Sequence, residues 1–424
     1  MTVDAVLALL VLLVLGNYWL SRSVLYPPFL FCGMWFLVLS MYRMELIETD
    51  PIHTNTVMIL AMGSVLFTAG GVLAMLCPSG LIQARFILTR FPARNKVIKL
   101  LVIVFLFCGL PLLLRSLEAM ASGGVGATIF TRARTAAAAG GGGGDGSFPL
   151  LAYFILWPFY AATLFLIERR DKGFWFMTFI AFMAGLLSTG RLPVLMLISA
   201  LTCVHLLKTG RVALWPALKF ARVPILLFMF LYFGLIFLLK DTSVYEGGIG
   251  TILLYFLVGY IVGPTAALDY FVQHPGEYVG PNHTFKFFLT IASKLHLVNY
   301  EAASGYGTFL AVPYPVNVYT MYRDYLSDFG FYGGLTAILI IGFLHTLLYR
   351  KARTGSELGI YFFSITFFAV FMSPFSDEYS AFGSYIDALL FAAIYIVARS
   401  LRLRVLPELP SGYGVPTTPD APRI

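Results

Sequence analysis

A chain of 424 residues with 59% hydrophobic residues, only 12% charged residues and a mean hydropathy of +0.83 carries more apolar surface than one aqueous core can bury, which excludes an ordinary soluble globular protein. Its net charge of +8 sits mostly in short loops between apolar runs and not on one face, which argues against a nucleic-acid partner and for membrane topology signals. What remains is an all-α polytopic membrane bundle, because a spanning helix satisfies its own backbone in lipid.

Apolar runs near the length of about 20 residues that crosses a bilayer core lie at 3–20, 25–42, 56–76, 98–117, 148–167, 173–189, 192–207, 223–240, 329–349, 357–375 and 383–399. They predict about 11 spanning helices in an integral membrane domain over 1–406, with an external loop region at 241–328 and a flexible cytoplasmic tail at 407–424. The first run contains Asp4, lacks a basic leader and is followed by Arg22, so a retained helix is expected in place of a cleaved signal. Cys32, Cys77, Cys108 and Cys203 lie in or at the ends of apolar runs without a CxxC pair, which predicts packing roles and neither disulfides nor metal ligation.

Basic clusters fix the expected topology. Arg85 to Lys99, Arg169 to Lys172, Lys208 to Arg222 and Arg350 to Arg353 mark cytoplasmic loops, and Arg399, Arg402 and Arg404 put the C-terminus inside. The loops at 45–50, 118–147 and 188–191, and the one around Asp377 and Glu378, then face the other side, as does the N-terminus. Within 241–328 the membrane is crossed an even number of times. The segment 251–271 is apolar but carries Gly259, Gly263, Pro264 and Asp269, so a re-entrant or interfacial segment with broken backbone is expected, with a two-span hairpin as the alternative. The Ala- and Gly-rich stretch at 136–146 has the composition of a mobile external lid.

Several chemistries fail on motif grounds. The chain has no GxxxxGK[ST] phosphate loop, no HExxH and no Asp-x-Asp pair, and its six histidines show no i, i+4 pairing. Neither a cofactor nor a metal is expected. What stands out is a set of arginines that break the positive-inside trend: Arg43, Arg115, Arg132, Arg134, Arg191 and Arg323. A guanidinium fork pairs bidentately with phosphate, so external arginines at headgroup level suit a lipid-linked diphosphate; snorkelling or headgroup contact explains Arg43, Arg115 and Arg132 as well.

The run 317–334 gathers Arg323, Asp324 and Asp328 at the expected mouth of a helix starting at Phe329, and such charges at membrane helices often mark a site. Asp324 and Asp328 are four apart and share a face if helical, so one carboxylate is a candidate general base; capping of the next helix is the alternative for Asp328. Glu301, His283 and His296 are further polar candidates in the same external region.

Thr189-Gly190-Arg191, Tyr260-Ile261-Val262-Gly263-Pro264, and Asn317-Val318-Tyr319-Thr320 leading to Asp328-Phe329-Gly330 with Gly333 and Gly334 give the chain a resemblance to oligosaccharide repeat-unit polymerases, the O-antigen polymerase (Wzy-type) family. Arg323 followed by Gly333 fits the spacing of an external-loop arginine and a later glycine in some members. The resemblance implies a GT-C-like membrane glycosyltransferase, inverting and metal-independent, facing the periplasm of a bacterial inner membrane. It would pass a growing glycan from undecaprenyl diphosphate to an incoming lipid-linked repeat unit.

On that resemblance Asp324, Asp328 and Arg323 are catalytic candidates, and Arg191, Arg134, Arg115, Tyr319 and His283 bind substrate. The implied partners are lipid-linked oligosaccharides, membrane lipids and a chain-length regulator protein. The rival readings are an O-antigen ligase, with His283 or His296 as base, and a lipid-linked sugar transporter or flippase.

Overall fold

The computed structural model describes residues 1–47, 49–78, 192–220, 249–275, 280–300, 310–311, 315–316 and 318–380, with single positions between 107 and 226. In chain order these form α1 (Val3–Ser21), α2 (Pro27–Arg43), α3 (Thr54–Leu76), α4 (Leu192–Thr209), α5 (Ile249–Gln273), α6 (Lys286–Lys294), the strands β1 (Leu310–Ala311) and β2 (Pro315–Val316), α7 (Met321–Arg353) and α8 (Glu357–Met372). The two short strands pair antiparallel with Leu310 opposite Val316, and every other labelled element is helical. The fold class is therefore all-α in substance.

Local chemistry sets the helix ends. Thr2 Oγ1 accepts the Ala5 N–H at 3.2 Å to cap α1, Pro27 and Pro28 open α2, and Ser356 accepts the Gly359 N–H at 3.3 Å to cap α8. At the far end of α3 the Arg350 guanidinium donates to the Ala74 and Cys77 carbonyls, satisfying groups that a helix C-terminus leaves open. α1, α3 and α7 are long and apolar enough to cross a membrane. Leu12 (67%), Leu15 (61%) and Leu76 (75%) are widely exposed, a pattern that suits contact with lipid chains. The chain is read as membrane-embedded on these helices.

α3 and α7 pack most closely. Gly70 lies directly against the Leu339 carbonyl, Gly342 against that of Phe67, and Gly71 within reach of Thr346. Contacts that rise together along both chains, from Phe67 and Gly342 to Ala74 and Arg350, show that the helices run parallel. The shared core adds Phe31 stacked on Phe67 at 4.1 Å and Trp35 tilted on Tyr322 at 5.3 Å. Cys32 and Cys203 are buried in two such apolar clusters, whereas Cys108 lies outside the described residues.

α7 is not one rod. Gly330 has φ 67° and ψ −171°, a combination accessible in practice only to glycine, and it divides the helix into limbs 321–329 and 331–353. A Cβ placed on Gly334 would stand 3.0 Å from the carbonyl carbon and oxygen of Tyr325, nine positions earlier, whereas nine positions of straight helix span about 13 Å. The first limb therefore folds back along the second. Tyr322 accordingly packs on Gly63, one turn before the Phe67 level that Gly342 occupies, and the Met321 N–H donates to the Ser373 carbonyl at 3.0 Å at the end of α8. The expected helix start at Phe329 falls two residues before the limb 331–353, and the residues ahead of it form a further helical limb, 321–329, that folds back.

α5 corrects a second expectation. The segment with Gly259, Gly263 and Pro264 is an unbroken helix of 25 residues with Pro264 inside it. Val258 and Val262 pack with Tyr42 and Ile47, and residues 266–274 line a cavity with residues 50–54, so its last four turns stay beside the α2–α3 connection. Residues 276–279 and 301–309 lie outside the described set, as do the glycine-rich stretch 136–146, the run 383–399 and the tail 407–424.

Candidate functional site at the re-entrant limb

The limb 321–329 gathers the charged residues. Asp328 has 0% exposure, and its two carboxylate oxygens accept the backbone N–H groups of His283 at 3.1 Å and Thr284 at 2.5 Å. A carboxylate that receives two backbone amides is occupied as an acceptor, so Asp328 anchors the start of α6 from 45 residues away and does not cap the limb 331–353. This anchoring brings His283 and Lys286 beside Asp324.

Asp324 is one turn earlier on the same limb. Its Oδ1 lies 3.9 Å from His283 Nδ1 and 3.7 Å from the Arg323 guanidinium, ion-pair distances that leave it outside hydrogen-bonding range of either. The Arg323 guanidinium lies 4.2 Å above the Tyr319 ring, a cation–π contact that orients it. Among the described residues none accepts a hydrogen bond from Arg323. Burial pushes the Lys286 ammonium below its ordinary value, and the Asp324 charge works in the opposite direction. The result is three basic groups, Arg323, Lys286 and His283, held around one carboxylate.

Asp377, from the loop after α8, completes the cluster. It accepts Tyr325 Oη at 3.1 Å, the Tyr379 N–H at 3.0 Å and the Ser380 hydroxyl. Its carboxyl is pushed up to about 7, by burial first and by the neighbouring negative charge of Asp324 second, against the lowering effect of those donors. Tyr379 in turn hydrogen-bonds His345 Nδ1 at 2.7 Å, extending the polar chain toward the limb 331–353.

The structure therefore brings together five of the sequence candidates: Arg323, Asp324, Asp328, Tyr319 and His283. Arg115 is helical and exposed. Arg191, Arg134, Arg132 and Glu301 lie outside the described residues. His296 is exposed just beyond the end of α6 with φ 56°, away from this cluster. Arg43 forms exposed ion pairs with Asp4 at 3.0 Å and Glu45 at 3.5 Å, which accounts for one positive-inside exception by local pairing.

Sequence reasoning missed Lys286 and Asp377 as site members. It also missed a second polar centre. His53, at the N-terminus of α3, donates its backbone N–H to Asp269 Oδ1 at 2.9 Å, and its Nδ1 meets Asp269 Oδ2 at 2.8 Å. A gap of 216 residues separates the two, so no local pattern announces the pair. Among the described residues no group of three or more His, Cys, Asp or Glu could hold a metal ion. Comparison with family models, with curated proteins and with solved structures found no match for this chain.

Proposed function

We propose that this protein is a membrane glycosyltransferase that polymerises lipid-linked oligosaccharide repeat units, moving the growing glycan from undecaprenyl diphosphate to a hydroxyl of an incoming lipid-linked unit. The observation that carries the reading is Arg323, seated on Tyr319 with no hydrogen-bond acceptor among the described residues, next to Lys286 and His283 on a limb folded back beside an apolar helix. Cations fixed in a partly dehydrated setting match the negative charge that grows on a departing diphosphate.

In this reading Arg323 and Lys286 hold the diphosphate. Asp324, whose oxygens are not consumed by backbone amides, takes the proton of the accepting hydroxyl as the new glycosidic bond forms and the carbon–oxygen bond to the diphosphate breaks. Asp328 is a positioning residue that keeps His283 and Lys286 in place. About 11 spans in a GT-C-like arrangement, a bacterial inner membrane, a site open to the periplasm and a chain-length regulator as partner belong to the same proposal. Arg191, Arg134 and Arg115 are its further diphosphate contacts.

The test is glycan chain length in cells carrying Arg323→Ala and Arg323→Lys, with membrane abundance measured in parallel. Arg323→Ala is expected to slow elongation by roughly 10²-fold, the scale of losing one charge-stabilising donor, and Arg323→Lys to retain part of the activity because it keeps the charge without the fork. Chains of normal length in Arg323→Ala at normal abundance refute the proposal.

A further inference from the structure

A cavity of about 600 Å³ lies between the α2–α3 connection and the last turns of α5, lined by Tyr42, Asp50, His53, Asp269, Tyr270, Gln273 and His274 among others. We propose that it is a second ligand site, distinct from the Arg323 cluster, that takes an uncharged polyhydroxylated ligand such as a sugar chain. Its identification does not depend on whether the Arg323 cluster transfers glycan.

Three observations carry it. The Asp269 contact engages Nδ1 of His53, orients the ring and leaves Nε2 for a ligand. The His53 side chain is 61% exposed while Asp269 is 12% exposed, so the ring stays reachable behind a shielded anchor. Second, Gln273 Nε2 is buried without a hydrogen-bond partner at the cavity wall, an amide donor that a ligand oxygen would satisfy.

Third, Tyr270 and His274 stack on each other at 4.4 Å, and Tyr270 is 43% exposed, a flat surface of the kind on which a sugar ring packs. Among the described residues no Lys or Arg lines the cavity, and Asp50 and Asp269 make it electronegative. Phosphate and other anions are therefore disfavoured there, in contrast to the Arg323 cluster, and neutral hydroxyls that both donate and accept fit the mixed lining.

The site adjoins that cluster. Ala267, two positions before Asp269, packs in one apolar group with Tyr319, the ring beneath Arg323.

The experiment uses the full chain in detergent micelles. Diethyl pyrocarbonate labelling of His53 is read by mass spectrometry with and without a panel of neutral di- to tetrasaccharides, and with inorganic pyrophosphate. At least one saccharide is expected to protect His53, and pyrophosphate is not. Calorimetric binding of the protecting saccharide is expected to weaken about tenfold in His53→Gln and in Gln273→Ala, the scale of one lost hydrogen bond, and to persist in Arg323→Ala.

Protection by pyrophosphate, protection by no saccharide, or unchanged affinity in both variants overturns the inference. Loss of pyrophosphate binding in Arg323→Ala with saccharide binding intact separates this site from the diphosphate proposal. Failure of either leaves the other standing.

Discussion

Asp328 and Asp269 use the same device to different ends. Each is a shielded carboxylate that takes backbone N–H groups from a segment far away in sequence, and each thereby fixes the start of a helix, α6 in one case and α3 in the other. Asp328 takes one amide on each oxygen and is fully buried, so it is closed to a ligand. Asp269 gives one oxygen to an amide and the other to an imidazole, so its anchoring role also orients a group that faces a cavity. Whether a buried carboxylate is structural or functional here depends on what its second oxygen meets.

The widest separation between the two comes from removing them. Asp328→Ala leaves the part-buried amides of His283 and Thr284 without an acceptor, and the expected loss is about 2–6 kcal/mol at 1–3 kcal/mol for each unsatisfied group. Asp269→Ala removes one acceptor at the N-terminus of α3, where water can enter through the cavity, and is expected to cost about 0.5–2 kcal/mol, the range of a helix cap. Thermal unfolding in detergent measures both. Equal losses would break the distinction drawn between them.

Asp328, which holds residues 283 and 284, stands two residues before the turn at Gly330 that folds the limb 321–329 back. Gly330→Ala tests that turn. Nothing lies within 4 Å of a Cβ at Gly330, so the substitution meets no steric clash and isolates the conformational term, expected at about 1–3 kcal/mol for a non-glycine residue in this region of φ and ψ. Limited proteolysis should show the segment near His283 cut faster in this variant. A Gly330→Ala protein as stable and as protected as the parent would mean that the turn is not held in this conformation.

The spans were legible where an apolar run ends in a local stop signal. The runs 3–20, 56–76 and 192–207 match α1, α3 and α4 within two residues at each end, and in α1 the Thr2 cap marks the start. The limb 321–329 was not legible. Its Arg323, Asp324 and Asp328 read as a polar approach to a helix, and nothing in the sequence states that Gly330 takes a positive φ or that Gly334 admits the backbone of Tyr325. Arg323 and Asp324 were found because they adjoin in sequence. Lys286, Asp377 and the His53–Asp269 pair needed tertiary contacts, which a single sequence does not encode locally.

Asp377 offers the finest test, because it stands between the two cases: it receives one amide and two hydroxyls, more donors than Asp269 has, yet lies beside the charge of Asp324. Its folded-state value of about 7 is above the ordinary 3.8, so the folded protein keeps a proton that the unfolded chain has released. Between about 4 and about 7 stability must therefore fall as pH rises, and it levels off above that window. Glu378, also raised by burial, acts in the same direction.

Asp377→Asn removes the titrating group while leaving an acceptor for Tyr325, so the melting temperature should vary less between pH 5 and pH 7 than in the parent. A slope unchanged by the substitution would show that the carboxyl is ionised in the folded protein throughout. Three donors would then be enough to outweigh burial and the nearby Asp324, and the number of donors, not the neighbouring charge, would decide how a buried carboxylate behaves in this bundle.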